Sequence, residues 1–145
     1  MKRNADIGRF TKPSKFQSLS TQEKRFFLQA MVSLPLVSVG LKTLGYQRLR
    51  RLLAKVAGRQ TTPRGKKADV GNIAQAAAQM VHVAARTRLG RANCLPRALT
   101  LWGLLRRQRI DSDLCIGVQK NSGTIQAHAW VEYQGRPLNE APDVQ

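Results

Sequence analysis

Between Phe26 and Leu41 the chain runs for sixteen residues without a charged side chain, although 23% of its 145 residues are Asp, Glu, Lys or Arg. Such a run has to be buried, in a protein core or in lipid. Gln29, Ser33, Pro35, Ser38 and Gly40 dilute it, and it falls short of the ~20 predominantly apolar residues that a membrane span needs. A core segment is the better reading. Pro35 cannot donate a backbone hydrogen bond inside a helix, so the sequence predicts two helical pieces meeting near it. Upstream, Ser20-Thr21-Gln22-Glu23 has the form of a capping box, which starts a helix there. The second piece continues through Tyr46 to Val56, where Leu49, Leu52, Leu53 and Val56 recur at helical spacing between arginines. This basic segment also suits a helix lying in a membrane interface.

The length fits one domain with a fairly thin core. Two cysteines, Cys94 and Cys115, are too few for the disulfide framework of a small secreted scaffold, and MKRNADIGRF lacks the apolar centre of a signal peptide. The expectation is a cytoplasmic protein with free thiols. Its net charge is +17, unevenly spread: sixteen of the 25 basic residues lie between Lys2 and Lys67 against two acids, Asp6 and Glu23. A cationic half attracts nucleic acid, anionic lipid or an acidic protein, and charge alone does not choose among them.

Residues 1–19 carry no periodic apolar pattern and read as a flexible arm. Gly58 to Lys67, GRQTTPRGKK, reads as a linker. As a phosphate-binding loop it fails, because six residues separate Gly58 from Gly65 where four are required, and no Ser or Thr follows Lys66. Asp69 to Leu89 is an alanine-rich helix with Val70, Ile73, Ala77, Val81 and Ala84 on one stripe. His82 lies beside that stripe and has no partner at metal-ligand spacing, so it reads as a histidine at the edge of the core.

In RANCLPRALTLWGLLRR, Asn93 is a good N-cap type and Cys94-Leu95-Pro96 forms a first turn, where a proline removes no intrahelical bond. Leu95, Ala98, Leu99, Trp102 and Leu105 then face the core, while Arg106, Arg107 and Arg109 crowd the end where the helix dipole favours cations. Cys94 is left above the packed face. There the unpaired N–H groups and the positive end of the dipole favour a thiolate, which is the nucleophilic form. A small apolar cysteine near a helix end is the plainer alternative.

Downstream, Leu114 to Val118 and Ile125 to Glu132 read as strands about a turn at Asn121-Ser122-Gly123. His128 stands mid-strand on the polar face and is the available base, opposite a helix N-terminus in the manner of cysteine hydrolases. If Tyr133-Gln134-Gly135 forms a three-residue loop, Glu132 opposes Arg136 and His128 comes opposite Glu140, whose carboxylate would orient the imidazole. A two-residue loop Gln134-Gly135 would put them on opposite faces. Asp143 is the reserve. Cys115 reads as structural, and Cys94, Cys115, His82 and His128 lack the paired short spacings of a zinc site, so no metal or cofactor is expected.

The runs CLPRALTLWGLLRRQRI, LCIGVQK and AHAWVEYQGRPLNE together resemble the stand-alone leader peptidase of lasso-peptide biosynthesis, a cysteine protease family of transglutaminase-like, papain-related fold. The resemblance extends from about Ser18 to the end. It implies an α+β fold: N-terminal helices, then a core in which the nucleophile's helix packs on a small antiparallel sheet. It also implies a single domain over 20–145, with a basic helical part (20–67) and a catalytic core (68–145). Carried over by position, Cys94 matches the nucleophile, His128 the base, and Glu140 a position usually held by aspartate. The partners implied are the precursor peptide, a separate leader-recognition protein and an ATP-dependent cyclase. Two other readings compete. A basic module for nucleic acid or membrane uses Arg48, Arg50, Arg51, Lys55, Arg64, Lys66 and Lys67 but leaves the Cys–His arrangement idle, and specific nucleic-acid recognition is not expected. A transglutaminase-like acyl transferase uses the same three residues with an amine as acceptor. The basic half is expected to dock an acidic protein surface or an acidic leader.

Overall fold

The computed structural model describes residues 19–56, 58, 67–87 and 93–139. The arm at 1–18, most of the 58–67 linker, and the candidates Glu140 and Asp143 lie outside the described residues. Among the described residues four helices, α1 (Thr21–Leu44), α2 (Tyr46–Val56), α3 (Lys67–Ala85) and α4 (Cys94–Arg107), precede three strands, β1 (Asp113–Asn121), β2 (Thr124–Tyr133) and β3 (Arg136–Pro137). The strands form one antiparallel sheet in the order β1-β2-β3. The class is α+β.

The capping box is present in full: the Glu23 amide donates to Ser20 Oγ at 3.2 Å and the Ser20 amide to Glu23 Oε2 at 2.8 Å. The division expected at Pro35 is not there. α1 runs through the proline without interruption and stops at Gly45, whose φ of 77° is a backbone state that glycine adopts at little cost. Pro35 removes one bond to the Met31 carbonyl, but it faces solvent, where water can take that carbonyl. Meanwhile Phe26, Ala30, Leu34 and Val37 bury one continuous stripe on either side of it. The packing outweighs the single lost bond. Past Gly45, α2 folds back so closely that a Cβ on Gly40 would stand 2.9 Å from Leu49 Cδ1.

α4 is the central element. Every residue from Ala98 to Leu105 is buried, more than the single stripe that its periodicity predicts, because α1, α2, α3 and the sheet all contact it. The alanines of α3 (Ala74, Ala77, Ala78, Ala84) are buried in the same cluster, and their small side chains allow close helix approach. Phe26, Leu34, Leu99, Leu101, Leu105 and Val131 are fully enclosed, each stabilising the fold by roughly 1.5–3 kcal/mol. Trp102 donates its indole N–H to the Ser112 carbonyl at 3.2 Å, and the guanidinium groups of Arg106 and Arg50 lie over its ring, 4.8 and 5.8 Å from the centroid. Arg50 therefore serves the core as well as the surface.

The loop between β2 and β3 corrects the register expected from sequence. Tyr133 pairs with Arg136 and Glu132 with Pro137, so the turn is the two-residue Gln134-Gly135, both at positive φ (51° and 72°). These angles suit the right-handed twist of a tight hairpin. β3 is short because the Asn139 side chain, not a backbone carbonyl, takes the Val131 N–H at 2.7 Å, after Leu138 has donated to the Val131 carbonyl at 2.9 Å.

Candidate active site

Cys94 is the first residue of α4. Asn93 occupies the N-cap position in extended conformation (φ −65°, ψ 172°), but its side chain makes no capping hydrogen bond. The first intrahelical contact is Arg97 N–H to the Asn93 carbonyl at 3.3 Å, and Pro96 brings no N–H of its own. The amides of Cys94 and Leu95 are therefore among the helix's orphan donors. Their partial positive charge lies at the root of the Cys94 side chain. That side chain is half-buried against the core cluster.

The sheet meets Cys94 edge-on. Ser122-Gly123 is a two-residue turn with φ of 46° and 87°, closed by Asn121 and Thr124. In such a hairpin the closing pair is hydrogen-bonded and every second pair repeats the pattern. Gly117 and His128 thus exchange backbone bonds, whereas at Val118 and Ala127 the backbone groups point away from one another. The Ala127 carbonyl faces the edge that β3 does not reach among the described residues. Cys94 Sγ lies 3.8 Å from that oxygen as a hydrogen-bond donor. The helix start and the residue before His128 are in direct contact.

His128 itself is half-buried. By strand alternation its side chain leaves the sheet on the face opposite Ala129 and Val131, which are in the core. Its ring stacks on Trp130, with centroids 6.2 Å apart and planes 28° from parallel. Trp130 is fixed in turn: its indole N–H donates to Glu132 Oε1 at 2.8 Å, and its six-membered ring covers Gly117, where a Cβ would come within 3.0 Å of Cη2 and Cζ3. This support was missed in reading the sequence. The signal was available in the period-2 spacing of His128, Trp130 and Glu132, with a glycine opposite the histidine.

The second thiol lies on this same face. Burial pushes Cys115 above the ordinary thiol range, and the carboxylates of Glu132 and Asp113 push further, with a Glu132 hydrogen bond adding to the effect. Cys115 is kept protonated, as a structural residue would be. His82 is engaged with α4: the Arg97 guanidinium meets its Nδ1 at 2.8 Å, and since arginine has only donors, Nδ1 accepts. The imidazole so held is a neutral tether between α3 and the first turn of α4. Among the described residues, no three His, Cys, Asp or Glu side chains converge as metal ligands would.

The two-residue turn also removes the register basis for Glu140. Glu132 opposes Pro137, not Arg136, so a regular ladder would set Glu140 opposite Ala129, on the face away from His128. The ladder ends before that point, and Glu140 itself lies outside the described residues.

A helix start carrying cysteine against the strand that bears histidine is the layout of a papain-like or transglutaminase-like core. Comparison decides which. The model of the transglutaminase-like superfamily (Transglut_core3) matches residues 30–145. The chain belongs to the transglutaminase-like superfamily. No curated protein and no solved structure matches it. The superfamily match takes in α2, α3, α4 and all three strands, together with most of α1. Transglutaminase-like proteins are in general cysteine peptidases or acyltransferases.

Proposed function

We propose that this transglutaminase-like protein is a cysteine peptidase that cleaves the leader from a lasso-peptide precursor in the cytoplasm, beside a separate leader-recognition protein and an ATP-dependent cyclase. The observation that carries the reading is the contact of Cys94, at the start of α4, with Ala127, the residue before His128. The resemblance of the segments around Cys94 and His128 to the leader peptidases supplies the substrate class.

In the proposed reaction His128 takes the Cys94 proton as Sγ attacks the carbonyl carbon of the amide joining leader to core. The Cys94 backbone N–H is one donor for the oxyanion. His128 then gives its proton to the departing core amine, leaving the leader as a thioester on Cys94. Water, deprotonated by His128, adds to the thioester; its collapse returns the proton to sulfur and frees the leader acid. Glu140 is assigned the orienting role on its match to the family's aspartate position, with Asp143 in reserve. An acyltransferase differs only in the last step, where an amine replaces water.

Mass spectrometry of a lasso precursor incubated with the recognition protein and either wild type or Cys94→Ala tests this. Leader-sized and core-sized fragments with wild type alone are expected. A leader mass increased by an added amine would assign the acyltransferase instead. No cleavage by a reduced wild type with the recognition protein bound would refute the peptidase reading.

A further inference from the structure

The outward side of α1 is unusual for a protein so rich in charge. Leu28, Val32, Leu36 and Val39 are 63, 62, 65 and 59% exposed, and exposed Pro35 lies among them. They fall on one line along the helix, diametrically opposite the buried line of Phe26, Ala30, Leu34 and Val37. Arg25 and Lys42, both exposed, stand on the same outer side at either end. The α1–α2 hairpin, residues 21–56, carries seven Lys and Arg against one acid, Glu23. It also carries seven of the ten large hydrophobic residues exposed among the described residues, Leu52 and Val56 of α2 included.

We infer that this hairpin docks on an anionic membrane surface, with the Leu28–Val39 line sunk among the acyl chains and the flanking cations on lipid phosphates. The inference stands apart from the peptidase reading. Two features select lipid over a protein partner. The Leu28, Val32, Pro35, Leu36, Val39 line has no side chain that donates or accepts a hydrogen bond, and lipid chains ask for none, whereas protein interfaces draw on Tyr, Trp and Arg anchors. The charge around it is of one sign, as anionic headgroups require. α1 is long and apolar enough to cross a membrane, but its inner line is occupied by the core, so it lies along the surface and does not span it.

The test is co-sedimentation of the full-length protein with vesicles of phosphatidylcholine alone or with about 30 mol% phosphatidylglycerol, at about 0.15 M salt. Wild type is expected to partition roughly tenfold or more in favour of the anionic vesicles, since each cation near the surface contributes about a fivefold factor. Leu28→Glu/Leu36→Glu changes exposed positions only, so circular dichroism and thermal unfolding should match wild type while vesicle binding is lost. Arg25→Glu/Lys42→Glu should erase the preference for anionic lipid. Failure of wild type to sediment with anionic vesicles would overturn the inference, as would equal binding by the Leu28→Glu/Leu36→Glu protein. A wild-type dimer that this variant dissociates in analytical ultracentrifugation would give the face to a second copy and overturn it as well.

Discussion

Gly117→Ala tests whether the support of His128 is built as the sheet geometry indicates. The added Cβ would stand 3.0 Å from two carbons of the Trp130 ring, closer than carbon atoms comfortably pack. The ring has little freedom to retreat, being held by the 2.8 Å bond to Glu132 and stacked on His128. Overpacking of this kind costs about 1–3 kcal/mol, while replacing glycine recovers about 0.4–1 kcal/mol through the unfolded chain. The net loss is about 1–2 kcal/mol, a fall in Tm of roughly 3–8 °C for a chain of this length. The assay is thermal unfolding of a double-mutant cycle with Trp130→Leu. Once the indole is gone the added methyl has nothing to strike, so Gly117→Ala should be neutral or slightly stabilising in that background, giving a coupling of about 1 kcal/mol or more. Equal cost in both backgrounds would refute the assigned contact. In a cleavage assay Gly117→Ala should also lower kcat more than its stability loss explains, because the displaced indole takes the imidazole stack with it.

Asn139→Ala leaves the N–H of buried Val131 without its acceptor and should cost about 1–3 kcal/mol; urea unfolding with an unchanged midpoint would show that β3 is held otherwise. Ser20→Ala removes half of the capping box and should cost about 1 kcal/mol, measured in the same assay. Iodoacetamide at neutral pH should alkylate Cys94 well before Cys115, whose thiol is held protonated by burial, Glu132 and Asp113; Glu132→Gln should speed the second alkylation, as mass spectrometry of timed quenches would show. Because the Cys115 value is raised on folding, its contribution to stability is complete below the ordinary thiol range and is lost as pH rises from about 8.5 through the raised value. Cys115→Ala should flatten that part of the alkaline stability profile.

The helices were legible because their signals are local. The Ser20–Glu23 box, the proline tolerated in the first turn of α4 and the apolar recurrence from Leu95 to Leu105 each need only neighbours within a few residues. Pro35 misled because proline's cost is local while its compensation is not. Whether one lost bond ends a helix depends on Phe26, Ala30, Leu34 and Val37 sharing a single partner surface, and no window of sequence contains that surface. The outward aliphatic line of α1 was hidden for a related reason, since a mixed run does not say which of its apolar residues the core will take. Trp130 and Gly117 lie on different strands, so their contact appears only once the strands are in register.

Register is where a single residue decides most. Tyr133-Gln134-Gly135-Arg136 accommodates a loop of either two or three residues, because Gly135 suits the left-handed state in both. What separates them is Gln134, which the two-residue turn places at φ 51°, a position that glutamine does not favour by itself. The core resolves the choice. With Glu132 opposite Pro137, Leu138 reaches the carbonyl of buried Val131 and packs beside it; a register shifted by one would exchange the core and solvent faces of the returning strand. The same shift separates the evidence for the three proposed catalytic residues. Cys94 and His128 rest on a helix start and a strand edge that touch at Ala127, whereas Glu140 rests on its place in the motif. Glu140→Gln and Asp143→Asn, compared by kcat across a range of pH, discriminate between the two acids: loss of the orienting carboxylate should lower kcat and change its pH profile, and the other substitution should leave both as in wild type.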